Sequence, residues 1–399
     1  MALYLYDDER ARTFAPFALT RPVSELRAGA VLIRHRWESA VGEKAAGSIV
    51  PRHLQDFEEL DAPAAAPNEL PAGSIVANAR CVVSLGAIPR DVETWTCDGR
   101  VAAVRLARAV RIAELGDGRV TLEELAGAGG EVQDVTGRWI DEVWDFIRDL
   151  GAQLTDDIAA VGPNLQTGLP EQAVVIGSHA LYVETGANVE PQVCFDLTAG
   201  PILVLRGATV QAFTRLIGPC AVGEGSTVVG DRIANCAIGD FCKVRGELSS
   251  SIVLGHSNKG HDGFVGHSYL GRWVNLGAGT TTSNLKNTYG TVSLWTPGGV
   301  RDTGLQFLGT LFGDHVKTGI GLRLTTGTVL GAGANVFDRM PPKAVAPFAW
   351  GGDAPYGRFE LEKFLAVAER MMARRHVVLG ARARRQLTAA FERHADAPA

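Results

Sequence analysis

The sequence predicts an α/β domain at the amino end, followed by a left-handed parallel β-helix of hexapeptide repeats that finishes in a C-terminal helix. Three observations predict it. Glycine is sparse up to Asp149 and dense from Gly162 to Gly352. The dense region falls into six-residue units led by an aliphatic residue, whereas the part before it alternates strand-like and helix-like segments. At 399 residues, the chain also exceeds what one hydrophobic core usually organises.

In the amino-terminal part, ALYLY reads as a short strand, VLIRHRWESAV as a helix, and SIVANARCVVSL as a further strand bounded by Gly73 and Gly86. The segment WIDEVWDFIRDLGAQLTDDIAAV sets Ile140, Val143, Trp144, Ile147 and Leu150 at helical spacing, and Pro163 then stops it. It predicts a bridging helix, so the first domain is expected over residues 1–165.

The repeats follow over 166–345, in units such as VVIGSH, PILVLR, RGATVQ, VGEGST, AIGDFC, VLGHSN, FVGHSY, VNLGAG, LFGDHV and VLGAGA. A six-residue period fits neither an amphipathic helix nor alternating hairpins. It fits three short strands per coil, with each aliphatic residue pointing inward and small residues turning the corners. One stretch, LKNTYGTVSLWTPGGVRDTGLQF from Leu285 to Phe307, breaks the period and is expected to project as a loop. The tail, 346–399, reads as helix from Gly357 to His394, with Phe359, Phe364, Val367, Met371 and Leu387 for an apolar face. It carries nine Lys or Arg against four Glu. A solvated basic capping helix explains that excess, and so does contact with a phosphate-bearing ligand.

A formal net charge of -5 argues against a nucleic-acid partner held by bulk electrostatics. The six cysteines form no CxxC pair and are scattered like small buried hydrophobes, which fits a reducing cytoplasm. The opening MALYLYDDERAR lacks the apolar stretch of a secretory signal, and no run long enough to span a membrane occurs, so neither export nor a membrane partner is expected.

The densest cluster of chemically capable side chains is GHSNKGHDGFVGHSYLGRWVNLGAGTTTSNLKN, from Gly255 to Asn287. It holds His256, His261 and His267. Acyl transfer to an amine needs a general base near neutrality, for which histidine is the usual choice, and donors for the developing oxyanion, for which backbone N–H groups and Asn side chains serve. Lys259, Lys286 and Asn284 are nearby donors for a phosphate.

Here the chain resembles the GlmU-like bifunctional family, which joins a glucosamine-1-phosphate acetyltransferase to an N-acetylglucosamine-1-phosphate uridyltransferase. SNKGHDGFVG followed by VNLGAGTTTSN carries the likeness, and counting back from Gly-Ala-Gly-Thr at the family's spacing lands on His261. The resemblance implies His261 as the base, Asn275 and Asn284 on the substrate, and acetyl-CoA as cosubstrate. Phe264 stands where the family has a substrate-facing tyrosine, and His267 is the rival base. Ser249 stands where the family's phosphate-binding lysine is expected, which leaves Lys243, Arg245 or Lys259 for the phosphate. His315, in FGDHVKTG, lies where the family has its CoA groove. The resemblance further implies a homotrimer with the acetyl site between subunits.

At the amino end the family's usual Gly-rich triphosphate loop is absent. Instead, LYLYDDERARTFAPFALTRPVSELRAG resembles a divergent branch of the same family, with Thr-Arg-Pro-x-x-x-Leu-Arg-x-Gly where that loop would lie. It implies a nucleotidyltransferase-like domain that uses a nucleoside triphosphate and Mg2+, with Arg21 and Arg27 as phosphate forks and Asp7 and Asp8 at the metal. An alternative reading has Asp7 and Asp8 turning the chain after the first strand, with Arg21 paired to Glu25 across one helical turn. Val23 stands where a lysine is usual, and ANAR at Ala77–Arg80 lacks the family's metal-binding Asp.

Two other classes compete. Hexapeptide trimers include metal-dependent hydratases resembling the γ-carbonic anhydrases, for which His256 and His261 with His267 or His315 would be ligands. An amino domain that only binds a sugar nucleotide, leaving an acetyltransferase alone, is the other.

Overall fold

The computed structural model describes residues 2–127, 130–168, 170–352 and 355–393. Two compact units emerge, one from Met1–Val143 with Leu379–Asp396 and one from Trp144–Val378.

The first unit is built on a six-stranded mixed sheet. Its order is Val132–Asp134, Thr94–Cys97, Arg100–Arg105, Ile75–Asn78, Leu3–Tyr6, Ala45–Ile49. Leu3–Tyr6 runs parallel to both of its neighbours, while Arg100–Arg105 is antiparallel to both of its own. The predicted first strand is therefore an interior strand, next to the Ala45–Ile49 edge, and all four of its side chains are buried. The predicted helix spans Ile33–Val41 and buries Ile33, Trp37, Ala40 and Val41 at helical spacing. It ends at Gly42, whose φ of 70° and close approach to the Arg90 guanidinium leave no room for a Cβ. SIVANARCVVSL is not one strand but two, Ile75–Asn78 and Cys81–Val83, because Arg80 turns inward to Asp8.

The second unit opens with two short helices rather than one bridge. Asp145–Arg148 and Leu150–Val161 follow a strand, Gly137–Trp139, that belongs to the first unit. Phe146 meets Tyr269 edge-on at 5.5 Å, which docks the first helix on the coils.

Beyond them lies the parallel β-helix of about ten turns, whose three faces are sheets of six, nine and ten strands. On one face Val183, Val204, Val222, Ile238, Val253, Leu270, Phe312, Leu330 and Val345 stand in register, one per coil, and all are buried. This stack is the six-residue period made physical. Each full burial of such a side chain stabilises by roughly 1.5–3 kcal/mol, so successive coils hold one another without needing a globular core.

The interruption is not a plain projecting loop: Val292 and Leu294 are fully buried, and it carries structure of its own. Ser293–Thr296 and Gly299–Asp302 form an antiparallel hairpin, and a Leu285–Phe307 bridge pins its base. Arg301 of the hairpin lies 5.4 Å from the Trp144 ring.

The tail is two helices, not one. Leu361–Ala373 buries Phe364, Leu365, Ala368 and Met372 and belongs to the second unit. Ala381–Arg393 belongs to the first, where Arg385 pairs with Asp56 at 2.8 Å. Between them His376 takes a φ of 58°, and the β-branched pair Val377–Val378 and then Gly380 do not continue the helix. The tail's end, 394–399, which includes the predicted His394, lies outside the described residues. No helix among the described residues is long and apolar enough to cross a membrane.

Candidate functional site

The site grows out of one face of the β-helix. On the ten-stranded face, Lys243, Asn258, Asn275, Lys317 and Asn335 stand in register, one coil apart. Residues that alternate with them point into the coil, so this polar column faces outward. Asn258 Nδ2 donates to Asn275 Oδ1 at 2.8 Å, which orients both amides. His261 sits on the bend that leaves this face, after the strand Asn258–Lys259. With Lys243, Asn258 and Asn275 it lines a cleft of about 380 Å³, closed on the other side by Met371, Arg374 and Arg375. A side chain at Gly260 would come within 2.7 Å of Asn258 Oδ1 and displace that amide.

The cleft thus brings together four of the site candidates named from sequence, His261, Asn275, Lys243 and His256. Asn258, Arg374 and Arg375 were not foreseen. Coil-by-coil alignment of the repeats would have placed Asn258 beside Asn275, whereas the arginines required the fold of the tail.

Lys259 and Arg245, expected at a phosphate, have other partners. Lys259 occupies an inward row that also holds Val210, Val228, Val244, Leu276, Thr318 and Val336, and it is 1% exposed. Its Nζ donates to the carbonyl oxygens of Arg245, at 2.8 Å, and of His261. Burial pulls the Lys259 ammonium down to about 8. Arg245 lies between Asp231 and Asp262, at 3.3 and 3.4 Å.

Asn284, expected beside His261, pairs with His267 instead. Its Nδ2 is 2.8 Å from His267 Nδ1, and the His267 ring stacks on Phe307 of the interruption at 5.2 Å. Burial lowers the His267 pKa. Phe264 lies across Gly266 in the same neighbourhood, so it packs rather than presenting a polar group. His256, His267 and His315 all take left-handed backbone angles, with φ of 52°, 47° and 61°, while His261 does not. His256 Nδ1 meets Arg272 at 3.1 Å between the rings of Phe241 and Trp273, and His315 meets Phe364 edge-on. Among the described residues, no three His, Cys, Asp or Glu side chains converge as a metal-holding group.

In the first unit the four residues singled out from sequence do not form a joint site. Arg21 is 1% exposed and makes a two-pronged pair with Glu59 at 2.9 and 3.3 Å, rather than with Glu25. Glu25 pairs with Arg34 at 2.6 Å. Arg27 donates to the Ala30 carbonyl inside its own turn. Asp7 is buried and accepts from the Val23 N–H at 3.2 Å, and burial raises its carboxyl to about 7. A carboxyl that is buried and already accepting from a backbone N–H is a poor ligand for a hard cation. Burial also raises Asp8, but Arg80, at 2.7 Å, together with Asn78 and the Ala11 N–H, holds it below the usual range. As arranged, Asp7 and Asp8 do not fit Mg2+.

A different set lines a cleft of about 250 Å³ where the two parallel strands Leu3–Tyr6 and Ile75–Asn78 end. It includes Asp8, Arg10, Arg80, Arg100, Arg119 and Trp139. The Arg100 guanidinium lies 3.8 Å from the centre of the Trp139 ring, and Arg80 lies 5.5 Å from it. In open sheets of this kind, ligands bind beyond the carboxyl ends of the parallel strands.

Comparison with known proteins finds relatives over part of the chain. Residues 3–163 match the model of the family described as sugar nucleotidyl transferase. The bifunctional protein GlmU of Desulfitobacterium hafniense is 29% identical over 206 residues, which cover 45% of this chain and 42% of that protein. The chain is thus similar to GlmU over part of its length. A bifunctional sugar-1-phosphate nucleotidylyltransferase/acetyltransferase of Sulfurisphaera tokodaii is 33% identical over 113 residues, 28% of this chain and 26% of that one. Each match therefore spans less than half of the relative's length. LpxA of Bacteroides fragilis, a UDP-N-acetylglucosamine acyltransferase, aligns over 51% of this chain and 78% of its own at 12% identity, with a TM-score of 0.17.

Proposed function

We propose that the β-helix transfers an acetyl group from acetyl-CoA to the amine of glucosamine-1-phosphate. The observation that carries this reading is the placing of His261 and the Asn258–Asn275 pair on one cleft. Neutral imidazole of His261 accepts a proton as the substrate amine attacks the thioester carbon. The C–N bond forms, the tetrahedral oxyanion draws on amide donors, the C–S bond breaks, and the thiolate recovers the proton. Likeness to the bifunctional relatives supports the choice of amine and donor.

The amino-terminal part, 1–165, joins the acetylated sugar phosphate to a nucleotide, giving UDP-N-acetylglucosamine. The family match over 3–163 supports this. Arg10, Arg80, Arg100 and Arg119 supply charge and Trp139 a ring at the strand ends. In this reading 166–345 is the acyl part and 346–399 the tail, and the protein works as a cytoplasmic homotrimer.

The test is CoA thiol release from acetyl-CoA with glucosamine-1-phosphate, and pyrophosphate release from UTP with the acetylated product. Absence of thiol release across a panel of amino sugar phosphates would remove the acetyl reading. Nucleotide binding without pyrophosphate release would reduce the amino part to a binding module.

A further inference from the structure

Likeness to the bifunctional family implies Mg2+ in the first unit, yet the carboxylates at the strand-end cleft are already taken by guanidinium groups. Arg80 lies between two of them. Its Nε and Nη2 donate to Asp8 at 2.9 and 2.7 Å, and its Nη1 donates to Asp141 at 2.7 Å and to the Ile140 carbonyl at 3.3 Å. Asp8 accepts further from Asn78 and from the Ala11 N–H, both at 2.9 Å, and Asp141 accepts from Arg100 at 3.0 Å. Glu123, also on the cleft, accepts from the Val101 N–H at 3.0 Å, and Glu9 is exposed.

A divalent cation would have to displace Arg80 to reach Asp8. Arg80 is 5% exposed, so the exchange would leave a buried guanidinium without its counter-charge and beside an added dication. A network of this kind has an ordinary explanation, since it braces the ends of the strands. That explanation does not reach the outer arginines. Among the described residues, Arg100 donates through Nη1 alone, with its plane over Trp139, and the Arg119 side chain makes no ion pair or hydrogen bond. Both line the cleft.

We infer that the strand-end cleft holds the phosphates of its ligand through Arg100 and Arg119 without a divalent cation, because Arg80 occupies the carboxylates that would carry one. Planar guanidinium suits the paired oxygens of a phosphate and brings the positive charge that a metal would otherwise supply. The inference deepens the nucleotidyl reading and rests on it for the ligand, a nucleoside triphosphate. The pairing of the carboxylates does not depend on that reading.

Calorimetry on the full chain tests this, with UTP and inorganic pyrophosphate as probes, each in EDTA and in excess Mg2+. Affinity in EDTA should equal or exceed that in Mg2+, since the cation only offsets ligand charge that the arginines would meet. Arg100→Gln and Arg119→Gln should each weaken UTP about tenfold in EDTA, with partial recovery in Arg100→Lys and Arg119→Lys. Asp8→Asn, which removes a candidate metal ligand, should lower the thermal midpoint and leave the ratio of affinities with and without Mg2+ near that of the wild type. A loss of UTP affinity of about tenfold or more in EDTA overturns the inference. So does the absence of UTP and pyrophosphate binding under both conditions, or wild-type affinity in EDTA for both glutamine variants. Pyrophosphate release from UTP and N-acetylglucosamine-1-phosphate is scored separately, so a chain that binds UTP without metal but releases none keeps the inference and loses the nucleotidyl reading.

Discussion

The ammonium of Lys259 donates to the carbonyl oxygen of His261 from inside the coil, so the backbone that carries the candidate base is held by a buried cation two residues before it. A second donation, to Arg245, ties the same ammonium to the preceding coil. Lys259→Met keeps the stem and removes both bonds, leaving two carbonyls short of a donor. It should lower thiol release through kcat more than through KM while the protein stays folded. Steady-state kinetics beside circular dichroism checks this.

The same lysine gives a pH signature. Its folded-state value, about 8, lies below the ordinary 10.5, so the unfolded chain binds the proton more tightly between those limits. Burying the charge therefore opposes folding fully below pH 8, and this penalty fades as pH rises toward 10.5. Relative to Lys259→Met, the wild type should gain stability over that window, as read from denaturant midpoints of the pair at pH 7, 9 and 10.

His261 and His267 should separate cleanly. His261→Ala should reduce thiol release by about 10²–10⁴-fold, the usual worth of a general base. His267→Ala and Asn284→Ala should behave like each other and unlike His261→Ala, because Asn284 bonds His267 at 2.8 Å. A double-mutant cycle on that pair should show a coupling of about 1 kcal/mol in stability. Loss of thiol release in His267→Ala alone would move the base to the other cluster.

Arg21 belongs to the fold of the first unit. Arg21→Ala leaves Glu59 without its buried partner and should cost about 3–5 kcal/mol of stability. Arg10→Gln and Arg119→Gln, in the cleft at the strand ends, should instead raise KM for the nucleotide and leave the thermal midpoint near that of the wild type. Thermal unfolding and pyrophosphate release on the three variants decide between the two sets of arginines.

Asp7 titrates in the opposite sense to an exposed carboxylate. Because burial lifts it to about 7, from an ordinary 3.8, its ionisation opposes folding increasingly as pH rises through that range. Asp7→Asn keeps an oxygen for the Val23 N–H and removes the charge, so the variant should be the more stable of the two at pH 8 and nearly equal at pH 4. Thermal midpoints at both values test it.

Local pattern was enough for much of this protein. A six-residue period is a statement about neighbours one coil away, so ALYLY, the aliphatic stack and the break from Leu285 to Phe307 could all be read without a structure. Resemblance to the family's motif around VNLGAG led to His261 and Asn275, which lie on neighbouring coils and share a cleft. Partner choice could not be read in this way. Whether Arg21 faces a ligand or Glu59, whether Lys259 points outward or fills a place in a valine row, and whether Asn284 serves His261 or His267 depend on which groups lie across a turn of the coil or a strand of the sheet. The burial and charge of those neighbours set each side chain's role, and chain folding alone brings them within hydrogen-bond reach. The tail shows the same division: its basic excess was plain in the residues, but the break after Ala373, which aims Arg374 and Arg375 at the cleft and sends the last helix to the first unit, is a property of the packed molecule.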